Sequence, residues 1–215
     1  MIHAFEPASG KLLMTLPLTG LKSEPTIFHH TLYALFVNAT FKAIDLESCR
    51  VLWTTALPLE FLKAGDSGGW HNLTCRAIGD RVVLHEESGC LSCLEGRTGR
   101  ICWQSLSGNY SWRYEVDDHR AYVVDNREGH LEALNLQNGA REWESPAKCA
   151  LDEPVTSLGR LLLFRGEDGG LQAADNENGR ILWASGKEVP SGSMFCLRPL
   201  LEKDRIIMTS GTRHF

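Results

Sequence analysis

The side chains that could bind a metal are scattered along the 215-residue chain rather than grouped. Cys90 and Cys93 form a C-x-x-C, but a zinc site needs a second such pair or nearby histidines. On one strand, residues three apart point to opposite faces of the sheet. The His29-His30 pair has no partner at a spacing typical of metal motifs. We therefore predict neither a metal site nor a cofactor.

Carboxylates are the other source of chemistry in this sequence. A glycosidase needs two of them at a fixed separation across its substrate. Asp66, Glu115 and Asp117 are the candidate acids, but no spacing among them singles out a pair. The sequence also lacks a glycine-rich phosphate-binding loop. The pattern favours a non-catalytic protein over an enzyme.

Aromatic and arginine side chains form the most suggestive grouping. Trp, Tyr and Arg are the residues that most often dominate binding hot spots between proteins. Such residues occur together at two places in the chain, and we predict that both contribute to a binding surface. The predicted binding residues are Trp70, His71, Tyr110, Trp112, Arg113 and Glu115.

Composition excludes several partners. The formal net charge is −5 and no run of Lys or Arg occurs, so we expect no nucleic acid partner. No apolar stretch reaches the roughly 18 residues of a membrane helix, so we expect no membrane association. The N-terminus lacks a basic segment followed by an apolar one, and the cysteine count is an odd seven. These features predict a cytoplasmic protein with free thiols.

A repeat with a period near 40 residues positions these side chains. Its best copy is the segment from Leu171 to Trp183, and four other copies place a large side chain at the position of Trp183. A period of this length with strand–turn–strand character is typical of β-propellers and solenoids. The corresponding large residues are Met14, Trp53, Trp103, Trp143 and Trp183, and we expect them to be structural.

Each repeat predicts four strands joined by tight turns such as Asn178-Gly179. The first copy begins at a third strand, and the last supplies only first and second strands. We therefore predict one domain, residues 1–215, folded as an all-β, five-bladed propeller of four-stranded antiparallel blades. Pairing of N-terminal strands (2–16) with C-terminal strands (194–210) would close the ring. The 14-residue segment Leu57–Trp70 is predicted to be a long, functional loop.

The frame Ala-x-Asp-x-x-x-Gly-x-x-x-Trp resembles the repeat of pyrroloquinoline-quinone-type propellers. Ala173, Asp175, Gly179 and Trp183 match it fully, and the other copies match with substitutions. The resemblance implies a propeller in which each repeat Trp packs between blades. The quinone-dependent dehydrogenases of that family also have eight blades, a Ca²⁺ site and an adjacent cysteine pair. This sequence has no adjacent cysteines, so the resemblance implies the fold and not the quinone.

The sequence thus predicts a non-catalytic protein-binding propeller, an adaptor or immunity-type module of a bacterium. It would use one face and the rim of its central channel, and it would be a monomer with a protein partner. The alternative is a small-ligand-binding, glycan-binding or glycoside-processing propeller with a site at the channel mouth. A ring completed by a second chain also stays open.

Overall fold

The computed structural model describes residues 2–16, 18–57, 74–85, 89–105, 110, 113–150, 154–185, 193–194, 200–203, 205–207 and 211–212. Throughout these ranges the chain forms β-strands and turns, without a helix, and none of it could cross a membrane as a helix. The strands are β1 (Ile2–Phe5), β2 (Leu12–Leu16), β3 (Thr26–Phe28), β4 (Thr31–Leu35), β5 (Thr40–Asp45), β6 (Val51–Ala56), β7 (Thr74–Ile78), β8 (Arg81–His85), β9 (Leu91–Glu95), β10 (Ile101–Ser105), β11 (Glu115–Val116), β12 (Arg120–Val124), β13 (His130–Asn135), β14 (Arg141–Lys148), β15 (Thr156–Leu158), β16 (Leu161–Arg165), β17 (Leu171–Asp175), β18 (Ile181–Ala184), β19 (Ser193–Met194), β20 (Leu200–Glu202), β21 (Arg205–Ile207) and β22 (Gly211–Thr212).

Consecutive strands pair into meanders. Within the described ranges there are four four-stranded sheets, β3–β6, β7–β10, β11–β14 and β15–β18, each in chain order. β1 pairs with β2, β20 with β21, and β19 with β22. The all-β class and the four-stranded antiparallel sheets are as the sequence predicts. Closure of a ring by pairing residues 2–16 with 194–210 stays a prediction, as does the single domain 1–215.

The second strand of each four-stranded sheet forms the core. β4, β8, β12 and β16 share one burial pattern, a half-buried first residue followed by four buried ones. Strands covered on both faces have near-continuous apolar sequences, as in Leu161–Arg165. The fourth strands are more exposed, as the alternating pattern of β6 shows. The apolar core therefore lies along the inner strands, and the fourth strands are the more exposed edges.

The turn between third and fourth strands is capped by the residue that ends the third strand. The Oδ1 atom of Asn135 accepts hydrogen bonds from the N–H groups of Gln137 and Asn138, at 2.9 and 3.2 Å. Oδ1 of Asp175 accepts the N–H of Glu177 at 2.9 Å. A short polar side chain that bonds two residues ahead stabilises a turn of this kind.

A β-bulge precedes the large residue in every fourth strand for which the register is described. In β14, Trp143 lies opposite Ala133, but Arg141 lies opposite Leu134, so Glu142 is an extra residue. Bulges change the direction in which a side chain points. The extra residue is Leu13 in β2, Leu52 in β6 and Leu182 in β18.

The chain divides into two compact units. The first comprises residues 1–87 and 94–101, and its core includes Leu35, Phe41 and Leu84. The second comprises residues 88–93 and 102–215, and its core includes Tyr122 and Phe164. Each unit thus has its own buried apolar cluster.

Candidate functional site

The predicted binding residues divide into two groups. Trp70, His71 and Trp112 lie outside the described residues, as does the predicted Leu57–Trp70 loop after Leu57. Tyr110, Arg113 and Glu115 are described and lie in the second unit.

The described members occupy the approach to β11. Tyr110 forms an isolated bridge with Asp125, and its N–H donates to the carbonyl of Gly89 at 3.2 Å. Arg113 is half-buried, and Glu115 begins β11 with only 6% of its surface exposed. Of these three residues, Tyr110 also lines a polar cavity of the second unit.

Two of the acids proposed for a glycosidase alternative are also described. Both oxygens of Asp117 are engaged: Oδ1 accepts the N–H groups of His119 and Arg120 at 2.8 Å, and Oδ2 accepts the Tyr122 hydroxyl at 2.5 Å. Burial and the neighbouring Asp117 carboxylate raise the pKa of Tyr122, so its hydroxyl stays a donor. Glu115 is buried, and Asp66 lies outside the described residues. The geometry of Asp117 is that of a structural turn residue.

The repeat tryptophans lie against the turn of the following repeat. The indole Nε1 of Trp53 donates to the carbonyl of Gly96 at 2.8 Å, within the first unit. In the second unit, Trp103 donates to Leu136 at 2.9 Å and Trp143 to Asn176 at 3.2 Å. All three carbonyls belong to the first residue of a turn between third and fourth strands. The same contact is therefore made three times.

Each of these rings also covers the glycine of that turn. A Cβ atom added to Gly99, Gly139 or Gly179 would lie under 3.0 Å from the ring of Trp53, Trp103 or Trp143, respectively. The glycines have φ of 71°, 73° and 70°. Glycine is needed here for two reasons, the left-handed backbone and the close approach of the indole.

The first copy makes a smaller version of this contact. Met14 stands at the Trp position, and its Sδ lies 3.4 Å from the Sγ of Cys49. Cys49 stands at the Gly position of the next turn, with φ of 58°. A flexible thioether thus replaces the indole where the glycine is absent. Trp183, by contrast, is 37% exposed.

A polar cavity of about 380 Å³ lies in the second unit. Its lining includes Tyr110, Glu132 and Arg141, together with Asp125, Arg127, Glu128, Leu134 and Gly139. Glu132 is 6% exposed, and both of its oxygens are bound. Its Oε2 accepts the Tyr110 hydroxyl at 3.3 Å, and its Oε1 contacts Nη1 of Arg141 at 2.8 Å. The cavity therefore has a buried carboxylate held in one position.

The strands bring two carboxylates together beside this cavity. Glu132 on β13 lies directly opposite Glu144 on β14, a pairing that is destabilising for like charges. Nη1 of Arg141 contacts both, at 2.8 Å to Glu132 and 2.6 Å to Glu144. Hydrogen bonding to Glu132, and the attraction of that carboxylate, raise the pKa of Arg141. One guanidinium group thus holds the pair together.

Glu132 and Arg141 were not predicted as site residues. The available signal was the charged Glu132 within the apolar run Leu131–Leu134 of a third strand. A carboxylate is almost never buried without a partner. The partner Arg141 could not be found without knowing which residues of β14 lie near Glu132.

A second cavity, of about 390 Å³, lies in the first unit. Phe28, His29, Tyr33 and Arg97 line it, together with Thr31, Gly79, Asp80 and Gly96. The rings of Phe28 and His29 meet edge to face with centroids 4.3 Å apart. The Tyr33 hydroxyl donates to the Gly96 carbonyl at 3.3 Å, and burial raises its pKa. This cavity is more apolar than the first.

Among the described residues, no three His, Cys, Asp or Glu side chains are grouped as metal ligands. The described cysteines, a set that excludes Cys196, are all free thiols. Burial raises the pKa of Cys75 and of Cys149 to about 12, so neither forms a thiolate near neutral pH.

Comparison with known proteins gives one family. A family model named PQQ_2, described as outer membrane protein assembly factor BamB, matches residues 1–109 and 87–212. The outer membrane protein assembly factor BamB of Moranella endobia (strain PCIT) is 24% identical over 173 residues, which are 74% of this chain and 43% of that protein. The chain spans between 38 and 44% of the length of the curated relatives it matches.

Solved structures of low sequence identity share the fold. The crystal structure of BamB from Moraxella catarrhalis has a TM-score of 0.58 at 16% identity, covering 86% of this chain and 57% of that one. A quinohemoprotein alcohol dehydrogenase of Pseudomonas putida HK5 has a TM-score of 0.54 at 14% identity, covering 79% and 35%.

Proposed function

This chain belongs to the PQQ_2 family, described as outer membrane protein assembly factor BamB, and we propose that it is a non-catalytic β-propeller that binds another protein. The membership confirms the resemblance to the pyrroloquinoline-quinone-type repeat. The observation that carries the proposal is the family match, which extends over residues 1–109 and 87–212. Matched relatives are named as assembly factors, a role that requires contact with other proteins.

The proposal is for an adaptor: a rigid repeat scaffold with a binding surface added at one end of its blades. Fold alone does not determine function, so the surface must supply the specificity. Tyr110, Arg113 and Glu115 are the described members of that surface, and Tyr110 lines the polar cavity. Trp70, His71 and Trp112 complete the proposed set.

We further propose that the scaffold is a closed ring of five blades. Four sheets have the four strands of a blade, and β1–β2 and β20–β21 are two-stranded pairs at the two ends of the chain. Trp53, Trp103 and Trp143 each lie against the next turn. By the same rule, Trp183 requires the turn that contains Gly10. Gly10 has φ of 68°, and no described residue lies within 4 Å of the position of a Cβ atom there, so the contact with Trp183 belongs to the proposal.

The test of the binding function is quantitative affinity capture from the native organism, followed by reconstitution with the purified partner. Wild-type chain is expected to retain one partner stoichiometrically, and Trp70→Ala and Trp112→Ala to reduce that binding at least tenfold, because buried aromatic anchors dominate interface energies. Leu52→Ala is the matched control, since Leu52 is an exposed apolar residue, 56% accessible, outside the proposed surface. Equal loss in the control, or binding unaffected in both tryptophan variants, would contradict the proposal.

The cytoplasmic address also stays a prediction. Fractionation of the native host, with marker proteins for each compartment, measures it. Recovery of the chain outside the cytoplasm would contradict it.

A further inference from the structure

We propose that one face of the β7–β8 hairpin binds a carboxylate group through the guanidinium groups of Arg76 and Arg81. Neither arginine lines either of the two cavities described above, and neither belongs to the predicted binding residues. The site therefore does not depend on which protein the chain binds. Three features support it: the shared face of the two arginines, their buried nitrogen atoms without acceptors, and the carboxylate that an equivalent arginine binds in another repeat.

Arg76 and Arg81 lie on the same face of their sheet. Arg76 is opposite Val83, and Ile78 is opposite Arg81. Cross-strand partners share a face, and so do residues two apart on one strand. The two arginines are therefore diagonal neighbours, about 7–8 Å apart, which is within reach of long side chains. The opposite face of the hairpin, which carries Cys75, belongs to the apolar core of the first unit.

Each of the two arginines has a buried donor that lacks an acceptor. The Nε atoms of Arg76 and Arg81 are buried, and neither donates a hydrogen bond to any described residue. Such donors are almost always paired in folded proteins, with protein groups, water or an ion, because an unpaired buried donor is unfavourable. Arg76 is half-buried and the Arg81 side chain is 20% exposed, so part of each guanidinium is accessible. An anion that approaches from this accessible side would supply the missing acceptors.

The carboxylates beside Arg81 are already engaged. Asp80 contacts Arg81 at Nη1, at 2.8 Å from its Oδ2, and this contact leaves the Nε edge of the guanidinium open. Glu95 accepts the hydroxyl of Thr98 at 2.6 Å. Within the described part of the chain, no ion pair reaches Arg76. The positive charge of Arg76 thus has no counter-charge on this face.

An equivalent arginine in the second unit indicates which anion fits. Arg120 begins β12 as Arg81 begins β8, and its Nε donates to Oε2 of Glu142 at 2.6 Å. Glu142 immediately precedes the repeat tryptophan of its strand, and Cys102 occupies that place in β10. The carboxylate that serves Arg120 is therefore absent from the repeat of Arg81. A carboxylate from outside would take its place, since the guanidinium fork matches carboxylate geometry.

Nitrogen-15 NMR of the arginine Nε–H groups measures binding at this site. The full chain is titrated at constant ionic strength with acetyl-Gly-Glu-Gly-amide or acetyl-Gly-Gln-Gly-amide, which has the same shape without the charge. We expect saturable shifts of the Arg76 and Arg81 signals with the Glu peptide, and at least tenfold weaker binding of the Gln peptide. Arg50 is exposed and serves as the reference for non-specific contact. Equal binding of the two peptides, or shifts no larger than those of Arg50, overturns the proposal.

The variant Cys102→Glu supplies the missing carboxylate from within the chain. Its side chain should occupy the position beside Arg81 that Glu142 has beside Arg120, so the Glu peptide should bind at least tenfold more weakly. Cys102→Gln is the matched control, with the same size and no charge, and should bind the peptide as the wild type does. Unchanged binding in Cys102→Glu, or equal loss in both variants, overturns the proposal.

A second variant keeps the test decisive if thermal unfolding shows that a Cys102 variant does not fold. Arg76→Lys keeps the charge and loses the planar fork. Binding of the Glu peptide, followed at the Arg81 signal, should weaken at least fivefold. Binding as tight as in the wild type overturns the part assigned to Arg76.

Titration with acetate distinguishes the source of the carboxylate. Acetate carries the same group without a peptide, so saturable shifts with acetate at the same two signals support the site. Tighter binding of the Glu peptide than of acetate assigns the site to an acidic side chain of a protein, and equal binding assigns it to a free acid. Binding of neither probe overturns the site and leaves the protein-binding function standing, because partner capture is measured separately.

Discussion

Asp175 and Asn135 occupy equivalent places in their repeats, at the end of the third strand where the hairpin turn begins. Each accepts the N–H two residues ahead with its Oδ1 atom, at 2.9 Å in both turns. Only Asp175 is charged, and its Oδ2 also accepts from Arg160 Nε at 3.1 Å. A comparison of the two residues therefore distinguishes capping of the turn, which the Asn135 amide also achieves, from the effect of the negative charge of Asp175.

Asp175→Asn is expected to reduce stability at pH 7 but not at low pH. The N–H of Glu177, followed by the guanidinium of Arg160, holds the pKa of Asp175 below its ordinary value of 3.8. A lowered folded-state pKa means that the ionised group stabilises the fold above about pH 4, and that this contribution is lost as the pH falls through the folded-state pKa. Urea midpoints of both proteins at pH 7, 4 and 2.5 measure the difference.

The gap between wild type and Asp175→Asn should close as the pH falls. A gap that persists at pH 2.5 would mean that lost turn geometry, and not lost charge, is responsible. Glu177→Gln on the same turn serves as control, because an exposed carboxylate with one partner 3.8 Å away contributes little to stability.

At this scale the sequence predicts the repeat positions, because Trp, Gly and the capping Asp or Asn recur at fixed spacing. Trp103 and Gly139, for example, can be aligned from the sequence alone. Which atoms they join requires the structure, since the Nε1 of Trp103 bonds the carbonyl of Leu136, the residue after the cap. The Glu132–Arg141 pair was missed because it depends on strand register.

At the scale of elements, the outer strands β6 and β14 differ in how their edges are protected. β14 carries Arg141, Glu142, Glu144 and Lys148 along with Pro146. β6, Val51–Ala56, has no charge and no proline, and its Leu52 is 56% exposed. In the described residues no strand pairs with the outer edge of β6. Uncharged edge strands of high β propensity favour association between molecules.

Leu52→Lys is expected to lower concentration-dependent self-association while changing the free energy of unfolding by less than about 0.5 kcal/mol. The reason is that Leu52 is the extra residue of a bulge and is exposed, so a charge there costs little in the folded chain. Dynamic light scattering over a tenfold concentration range measures the effect. Glu142→Leu, at the equivalent bulge of β14, should act in the opposite direction. Unchanged scattering in both variants would contradict this account of the edges.

The strands themselves follow from the sequence, because apolar runs such as Leu161–Phe164 are bounded by turn residues. The bulges do not. The apolar pattern continues on both sides of an extra residue such as Glu142. The sequence therefore does not show where the register shifts. Register is set by the apolar pattern of whole strands and by the geometry of the turns, so no single residue type marks the extra position.

At the scale of the molecule, the stability of the Trp183→Ala variant tests whether the ring closes. Trp143 lies against Gly179 of the next repeat, and Trp143→Ala should cost about 3–5 kcal/mol. If Trp183 lies against the Gly10 turn in the closed ring, Trp183→Ala should cost a similar amount. The free energy of unfolding in urea measures both variants. A cost below about 0.5 kcal/mol, typical of surface positions, would contradict closure of this chain on itself.

Sedimentation distinguishes closure within one chain from closure between two. A ring closed within one chain has the 24.0 kDa mass of the monomer. A dimer that dissociates on Trp183→Ala would place the contact between chains. The sequence predicts the number of repeats by counting, but it does not show whether the turn that Trp183 meets belongs to the same chain.

The contact between Trp and turn has a direction, since in three places the indole of one repeat lies against the glycine turn of the next. A repeat with this property behaves like the monomer of a head-to-tail polymer, in which any unit fits any other. Duplication or loss of one 40-residue unit then leaves every joint intact. A lineage can lengthen or shorten such a protein without inventing a new interface. The relatives that share this repeat are longer, since the matched segment covers 38 to 44% of their length.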